Sequence, residues 1–341
     1  MAQPQSRHGT RPTIYDVARR AGVSKSLVSL VLQDSAQVSP HRRQAVLSAI
    51  SDLGYRPSTA AASLAGNRTR SIGVAIDDFE NLSFVSLLRG LREVLTGSGL
   101  NVSVSDRHLN AHARVDPVEA FLAMRVEALV LAMEIDLETD TAQDLSGVPV
   151  VVAGHRERVP DGADLVANDD AEGGRLATAH LLGLGHTAVG HLTGSSGPAA
   201  LRRAGYEATM TDAGLVPRLG GEGGGTTEED GYAAAGELLT RHPDTTGIFA
   251  ANDVMLLGAM AALRERGLRA PDDVSLIGYD DTPIASARYL GFTTVDDRSR
   301  DVGIEVGRQI LDRRQDPAHE PRRILLPPAV VVRTSTGPPP G

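Results

Sequence analysis

The chain has 341 residues, 41% of them hydrophobic but only 3% aromatic, and it contains neither tryptophan nor cysteine. That length suits two or three packed domains with cores of Ala, Val, Leu and Ile. The lack of cysteine excludes a disulfide framework, a thiolate metal site and a cysteine nucleophile, and it fits a reducing cytoplasm. The net charge of −9 conceals a division, because residues 1–70 carry ten Lys/Arg against three Asp while the remainder carries 24 basic and 40 acidic residues. A basic head on an acidic body draws phosphate to one end and repels it at the other, although a plain basic tail would give the same split. The polar N-terminus has no apolar stretch of the kind that opens a secretory leader, and no apolar run is long enough to span a membrane. A cytoplasmic protein without membrane contact is expected.

After a polar tail over residues 1–10, Thr13 is placed to cap a helix, with Asp16 at the third helical position closing an acidic capping box. Ile14, Val17 and Ala18 recur at helical spacing, and Gly22 supplies a turn. Ser24 caps a second helix whose Leu27, Val28, Val31 and Leu32 form an apolar stripe, leaving Lys25, Ser26, Ser29 and Leu30 outward or at its margin. A third helix starts at Ser39-Pro40, with proline at the first helical position, and runs through Val46, Leu47, Ile50 and Leu53 to a stop at Gly54. Three short helices with a tight turn between the first two predict a helix-turn-helix domain over residues 11–56. Lys25, the only lysine of the chain, falls on the first exposed turn of the second helix, where such domains touch base edges. Any three-helix bundle with solvated serines would share the same pattern.

Residues 57–70 read as a linker. Ala60–Ala65 favour helix, but so short a segment is marginal alone, and a flexible Ala-rich tether is the alternative. From Ser71 short apolar runs alternate with amphipathic stretches: strands at 72–76, 100–104, 128–133, 148–153, 188–193, 247–250 and 274–279, and helices near 84–95, 117–124, 173–182, 200–212 and 255–266. This alternation predicts parallel α/β architecture, and some 265 residues of it predict two similar lobes over 71–336, followed by a tail at 337–341. Four acidic pairs, Asp77-Asp78, Asp169-Asp170, Asp280-Asp281 and Asp296-Asp297, stand at predicted strand ends. Ligands bind there in open α/β sheets, and ionised carboxylates accept from ligand hydroxyls; a loop turn or helix cap is the plainer reading of any one pair.

Several motifs together resemble the lactose-repressor (LacI/GalR) family of bacterial transcription regulators. They are Thr-Ile-Tyr-Asp-Val-Ala from Thr13, Ala-Gly-Val-Ser from Ala21, Val-Ser-Pro from Val38, Gly-Tyr-Arg-Pro from Gly54 and Ser-Leu-Ala-Gly from Ser63. Further marks are Asn168-Asp169-Asp170, Leu184-Gly185-His186, Ala251-Asn252-Asp253 and Ile277-Gly278-Tyr279-Asp280-Asp281. The resemblance implies an N-terminal all-α helix-turn-helix domain joined to an α/β two-lobed periplasmic-binding-protein-like domain, with chain crossovers near 168–172 and 294–298 and a third near the end. It implies a homodimer on a pseudo-palindromic operator, with a small-molecule effector, sugar-like in many members, held between the lobes. By the same resemblance Lys25, Ser26 and Leu30 read bases, and the hydroxyls of Tyr15, Ser24, Ser29 and Ser39 meet phosphates. Leu64 matches the leucine that a paired hinge helix pushes into the minor groove. Leu30 offers only apolar contact, for example to a thymine methyl, or else belongs to the core.

The implied effector contacts are Asp78, Ser83, Arg202, Asn252, Asp280 and Asp297. Ser83 replaces a usual aromatic, Gly154-His155 stands where Asp is common, and Asp297 where Gln is common; Ser58 and Ala62 depart from the usual Asn and Arg of the hinge. Nothing calls for a metal or another cofactor. The Gly220–Gly225 run lacks a phosphate-loop fingerprint and reads as a loop or weak strand. His180, His186 and His191 lack metal spacing. A solute-binding protein, an enzyme working through paired carboxylates and a regulator without an effector are the rival readings, and no acid/base or nucleophile motif supports the enzyme.

Overall fold

The computed structural model describes residues 12–32, 35, 37–55, 69–110, 116–135, 145–194 and 197–341. It divides into two compact units, Met1–Thr69 and Arg70–Gly341. In the small unit α1 spans Ile14–Ala21, α2 Lys25–Leu32 and α3 Pro40–Leu53. The capping box forms: the Thr13 hydroxyl accepts from the Asp16 amide, and the Asp16 carboxylate accepts from the Thr13 amide at 2.9 Å. Gly22 ends α1 with φ 66°, a left-handed conformation that glycine adopts without a Cβ penalty. The Ser24 hydroxyl accepts from the Leu27 amide at 3.2 Å and so starts α2.

Val17, Ala18, Val28, Val31, Val38, Val46, Ala49 and Tyr55 form the core of this unit. Two expected core residues lie elsewhere: Leu32 is 37% and Leu47 46% exposed. At about 100° per residue, Leu32 flanks the line through Val28 and Val31, and Leu47 points well away from the line through Val46 and Ala49. Val38, before α3, fills the space instead.

The large unit holds two six-stranded sheets, ordered β11-β5-β4-β3-β1-β2 and β12-β10-β9-β8-β6-β7. The first takes β1 (Ser71–Ile76), β2 (Asn101–Asp106), β3 (Ala128–Ala132), β4 (Val150–Ala153), β5 (Asp164–Asn168) and β11 (Arg323–Leu326). The second takes β6 (Val189–Leu192), β7 (Arg218–Gly220), β8 (Gly247–Ala250), β9 (Ser275–Tyr279), β10 (Thr293–Asp296) and β12 (Ala329–Val331). All pairings are parallel except β10 with β12. Parallel strands need covered faces, which explains the almost unbroken burial of β1, β3, β8 and β9.

The covering helices are α4 (Ser83–Leu95), α5 (Arg107–Asn110), α6 (Pro117–Ala123), α7 (Asp170–Gly183), α8 (Pro198–Asp212), α9 (Glu228–Arg241), α10 (Asp253–Glu265) and α11 (Ser299–Gln315). α4 and α11 pack backbone to backbone: a Cβ at Gly90 would stand 1.9 Å from the Arg300 carbonyl oxygen, and one at Gly303 2.0 Å from that of Leu87. α11 therefore belongs with the first sheet although β10 precedes it. The chain passes between the sheets at Asn168–Asp170, at Asp296–Ser299 and at Leu326–Ala329. These crossings bring the carboxyl ends of β5 and β10 to the crevice between lobes.

Candidate ligand cavity and nucleic-acid interface

On the small unit Ser24, Lys25, Ser26 and Ser39 are exposed, Tyr15 is 60% exposed, and Ser29 and Leu30 are half-buried. Leu30 packs against the margin of the core, so only part of its side chain is free for another surface. The Lys25 ammonium stands 5.2 Å from the centroid of the Tyr15 ring, a cation–π arrangement that brings two of the expected contact residues, from α1 and α2, side by side. α2 carries no acidic side chain, so nothing on that helix competes with an anion for Lys25. Leu64 lies outside the described residues.

In the large unit a cavity of about 580 Å³ opens between the lobes. Its walls lie at strand ends: Asp77 and Asp78 after β1 with Ser83 at the start of α4, Gly154 and Arg156 after β4, Asn168 at the end of β5, Asn252 after β8, and Asp297 after β10. Arg202 on α8 completes the second-lobe wall. Asp78, Ser83, Arg202, Asn252 and Asp297 are thus gathered at one cavity.

Asp280 is not on the cavity wall. It lies behind Arg202, 3.2 Å from the guanidinium Nη1, at a residue whose φ is 96°.

Arg202 is buried and its charge is balanced on three sides. Its Nε donates to Asp170 at 2.8 Å, its Nη1 donates to the Ala251 carbonyl at 2.7 Å, and its guanidinium carbon lies 3.6 Å from the Tyr279 ring centroid. Burial works against this charge, but Asp170 and Asp280 outweigh it and hold the guanidinium pKa above its ordinary value. Asp297 is held by Ser299, whose amide donates at 2.8 Å and whose hydroxyl donates at 2.6 Å. Burial, and then the charge of Asp280, push the Asp297 carboxyl upward. Burial raises Asp280 as well, against the pull of Arg202. Asn252 caps α10, accepting from the Met255 amide at 2.7 Å while donating to the Thr226 carbonyl at 3.1 Å. The Asp78 carboxylate accepts from the Glu80 amide at 2.8 Å.

Arg156 was absent from the residues expected at the site, although it stands two positions beyond Gly154 at the end of β4. The available signal was positional: a basic residue just past the carboxyl end of a buried strand. The neighbouring His155 does not line the cavity. His108 lines the cavity, its Nδ1 2.9 Å from the Asp77 carbonyl, whereas His180, His186 and His191 belong to the packing. His186 bonds Thr246 and Ser275 at 2.9 and 3.0 Å, and His180 bonds Thr336 at 3.0 Å. His191 meets the Phe249 carbonyl at 2.9 Å, and burial pushes its pKa down to about 3. Among the described residues no cluster of acids and histidines could hold a metal ion, and no helix is long and apolar enough to cross a membrane. The glycine-rich stretch contributes β7 and then the loop that brings Gly225 to the cavity.

Residues 13–58 match the model of bacterial regulatory proteins of the lacI family, and residues 178–336 match a periplasmic binding protein-like domain. The chain is 33% identical over 333 residues to the HTH-type transcriptional repressor PurR of Haemophilus influenzae, covering 95% of this chain and 98% of that one. The chain belongs to the lacI family of bacterial regulatory proteins. Among solved structures it is similar to a complex of the transcriptional regulator CelR with cellobiose, at 30% identity and TM-score 0.70, with 95% of this chain and all of that one covered. It is also similar to a Lac repressor dimer bound to operator and the anti-inducer ONPF, at 28% identity and TM-score 0.78, with 96% and 100% covered. As a lacI-family member it is a DNA-binding transcriptional regulator, and the PurR relative is a repressor rather than an enzyme.

Proposed function

We propose that this protein is a cytoplasmic transcriptional repressor that binds a pseudo-palindromic operator as a homodimer and is switched by a small polar molecule held between its lobes. The observation that carries the effector half of this reading is the cavity of about 580 Å³ at the crossings between the two sheets. A molecule there touches both lobes at once, so its binding energy depends on their separation. Any such dependence couples reciprocally to whatever else that separation governs.

In this reading residues 11–56 form the head, 57–70 the hinge and 71–336 the effector and dimerisation body. Lys25 and Ser26 face base edges, with the ammonium suited to the acceptors of guanine. The hydroxyls of Tyr15, Ser24, Ser29 and Ser39 bind phosphates and set the position of α2. Leu30 touches an apolar group at most, and Leu64 wedges the minor groove. In the cavity Asp78, Ser83, Asn252 and Asp297 supply polar contacts. Arg202 presents a charged wall stiffened from behind by Asp170 and Asp280. No residue pair in the cavity is assigned catalytic work.

Genome-wide mapping of binding sites, followed by operator titration of the purified protein with and without molecules handled by the neighbouring genes, tests the reading. A symmetric operator whose affinity shifts with one of those molecules is expected. Operator affinity unchanged while a ligand occupies the cavity would remove the effector role and leave the DNA-binding role.

A further inference from the structure

The two arginines at the cavity differ in how their charge is balanced. Arg202 faces two carboxylates. Arg156, on the opposite lobe, is equally buried at 9% exposure, yet among the described residues it forms no ion pair and its Nε has no hydrogen-bond partner. Its Nη1 donates to the carbonyl of its own neighbour His155. Burial lowers its pKa, and the more distant charges of Asp77, Glu134 and Asp170 do not make up the loss. Gly154 leaves it space: a Cβ there would stand 3.2 Å from Nη1, at a residue whose φ of 78° already favours glycine.

A buried charge without a partner is costly to a folded protein, and lobe closure alone does not supply one. Asp77 follows β1 and belongs to the same lobe as Arg156, so a rigid approach of the lobes leaves their separation unchanged. On the facing lobe Asp170 and Asp280 are committed to Arg202. At the crossover the Asp297 carboxylate is engaged by Ser299. A hydroxyl could accept from Arg156 but would bring no charge. A carboxylate or phosphate brings both, with the fork geometry that guanidinium favours.

We infer that Arg156 anchors an oxyanion of the ligand, so that the effector is an acidic polyol, bearing a carboxylate or a phosphate ester, rather than a neutral sugar. The inference rests on the effector reading above. The hydroxyls of such a ligand face Asp78 and Asn252 while its acid group sits on Arg156.

The test uses the full chain, Arg156→Met and Arg156→Lys, with glucose, glucuronate and glucose 6-phosphate as probes of one ring with and without charge. Melting temperature is read without ligand and with each probe, dissociation constants are read by calorimetry, and operator affinity is read alongside. Without ligand, R156M is expected to melt above the wild type, because it discards an unbalanced buried charge. Glucuronate or glucose 6-phosphate is expected to bind the wild type at least about tenfold tighter than glucose. That preference should vanish in R156M and persist in part in R156K. The charged member that binds tells carboxylate from phosphate. A loss of ligand-free stability in R156M would make the guanidinium a structural prop and overturn the inference. Equal binding of glucose to wild type and R156M, with no preference for the charged probes, overturns it too while leaving the effector reading intact. Tight, Arg156-dependent binding of a charged probe with operator affinity unchanged supports the inference and removes the effector reading.

Discussion

Replacing Arg202 with methionine is expected to unbalance the second-lobe wall far more than its place on a ligand cavity suggests. The change leaves Asp170 and Asp280, whose side chains are 0% and 2% exposed, facing one another without a cation. Removing one partner of a buried pair costs about 3–5 kcal/mol, and loss of the stacking on Tyr279 adds about 0.5–2 kcal/mol. Asp280 escapes part of this by taking up a proton. That proton costs about 1.4 kcal/mol per pH unit between the ordinary carboxylate pKa near 4 and the working pH. Burial already raises Asp280 against the pull of Arg202, and the variant removes that pull, so the penalty at Asp280 is absent below the unfolded pKa and grows as pH rises. R202M should therefore be destabilised by at least about 3 kcal/mol at pH 7 and recover by about 1–3 kcal/mol at pH 5. Urea unfolding followed by far-ultraviolet circular dichroism at pH 5, 6, 7 and 8 measures this, since the chain has no tryptophan to report by fluorescence. R202K should recover only part of the loss, because an ammonium cannot reproduce the fork to Asp170 and the Ala251 carbonyl. A loss below about 1 kcal/mol at pH 7, or one flat across this pH range, would refute the view that Arg202 is spent on holding the wall.

The remaining predictions concern the same wall and the head. Asp297→Asn should stabilise the protein at pH 8 and do little at pH 5: burial raises the native carboxyl, so its cost is present above its folded pKa and lost as pH falls toward the unfolded value. Melting curves at the two pH values decide it, and a larger gain at pH 5 would contradict the sign. Lys25→Ala should relax base preference at one symmetric operator position, at a cost of about 1–3 kcal/mol per half-site; a selection experiment returning an unchanged site logo would reduce Lys25 to a phosphate contact. Leu64→Ala should weaken binding to the operator much more than to random DNA, and equal losses in anisotropy titrations of both would defeat the wedge.

Much of the architecture was legible because buried parallel strands are near-continuous apolar runs and because caps carry local chemistry. Thr13 with Asp16, and the glycines that end α1 and α3, needed no tertiary information. Two long helices, α9 and α11, are not among the elements the sequence predicts. α9 has alanines where other helices show Leu or Val, so its buried face, Ala234, Ala235, Leu238 and Leu239, looks weakly apolar; yet its start is marked by a Thr227–Asp230 capping box like the one read correctly at Thr13. α11 buries Gly303, Gly307, Gln309 and Arg313 besides its valines. Val302, Val306 and Ile310 reach the core of the first lobe, but the rest of its packing is close backbone approach and the buried Arg313–Asp164 pair at 2.7 Å, so the apolar line is only one residue wide.

The site was legible in a different way, and unevenly. Strand-end position found the cavity loops, because a parallel sheet delivers every strand end to the same edge. Position could not rank the residues on those loops, since rank depends on what stands behind each side chain. Asp280 and Arg202 read as two independent ligand contacts, but burial joins them into one charge-balanced unit of which only Arg202 reaches the cavity. Arg156 has no such signal in the sequence, because a single arginine after a strand is ordinary on a surface and becomes telling only when buried without a carboxylate. Charge balance is a property of a volume rather than of a spacing. A residue whose importance lies in the absence of its partner is therefore the kind that a linear motif misses and a folded chain reveals.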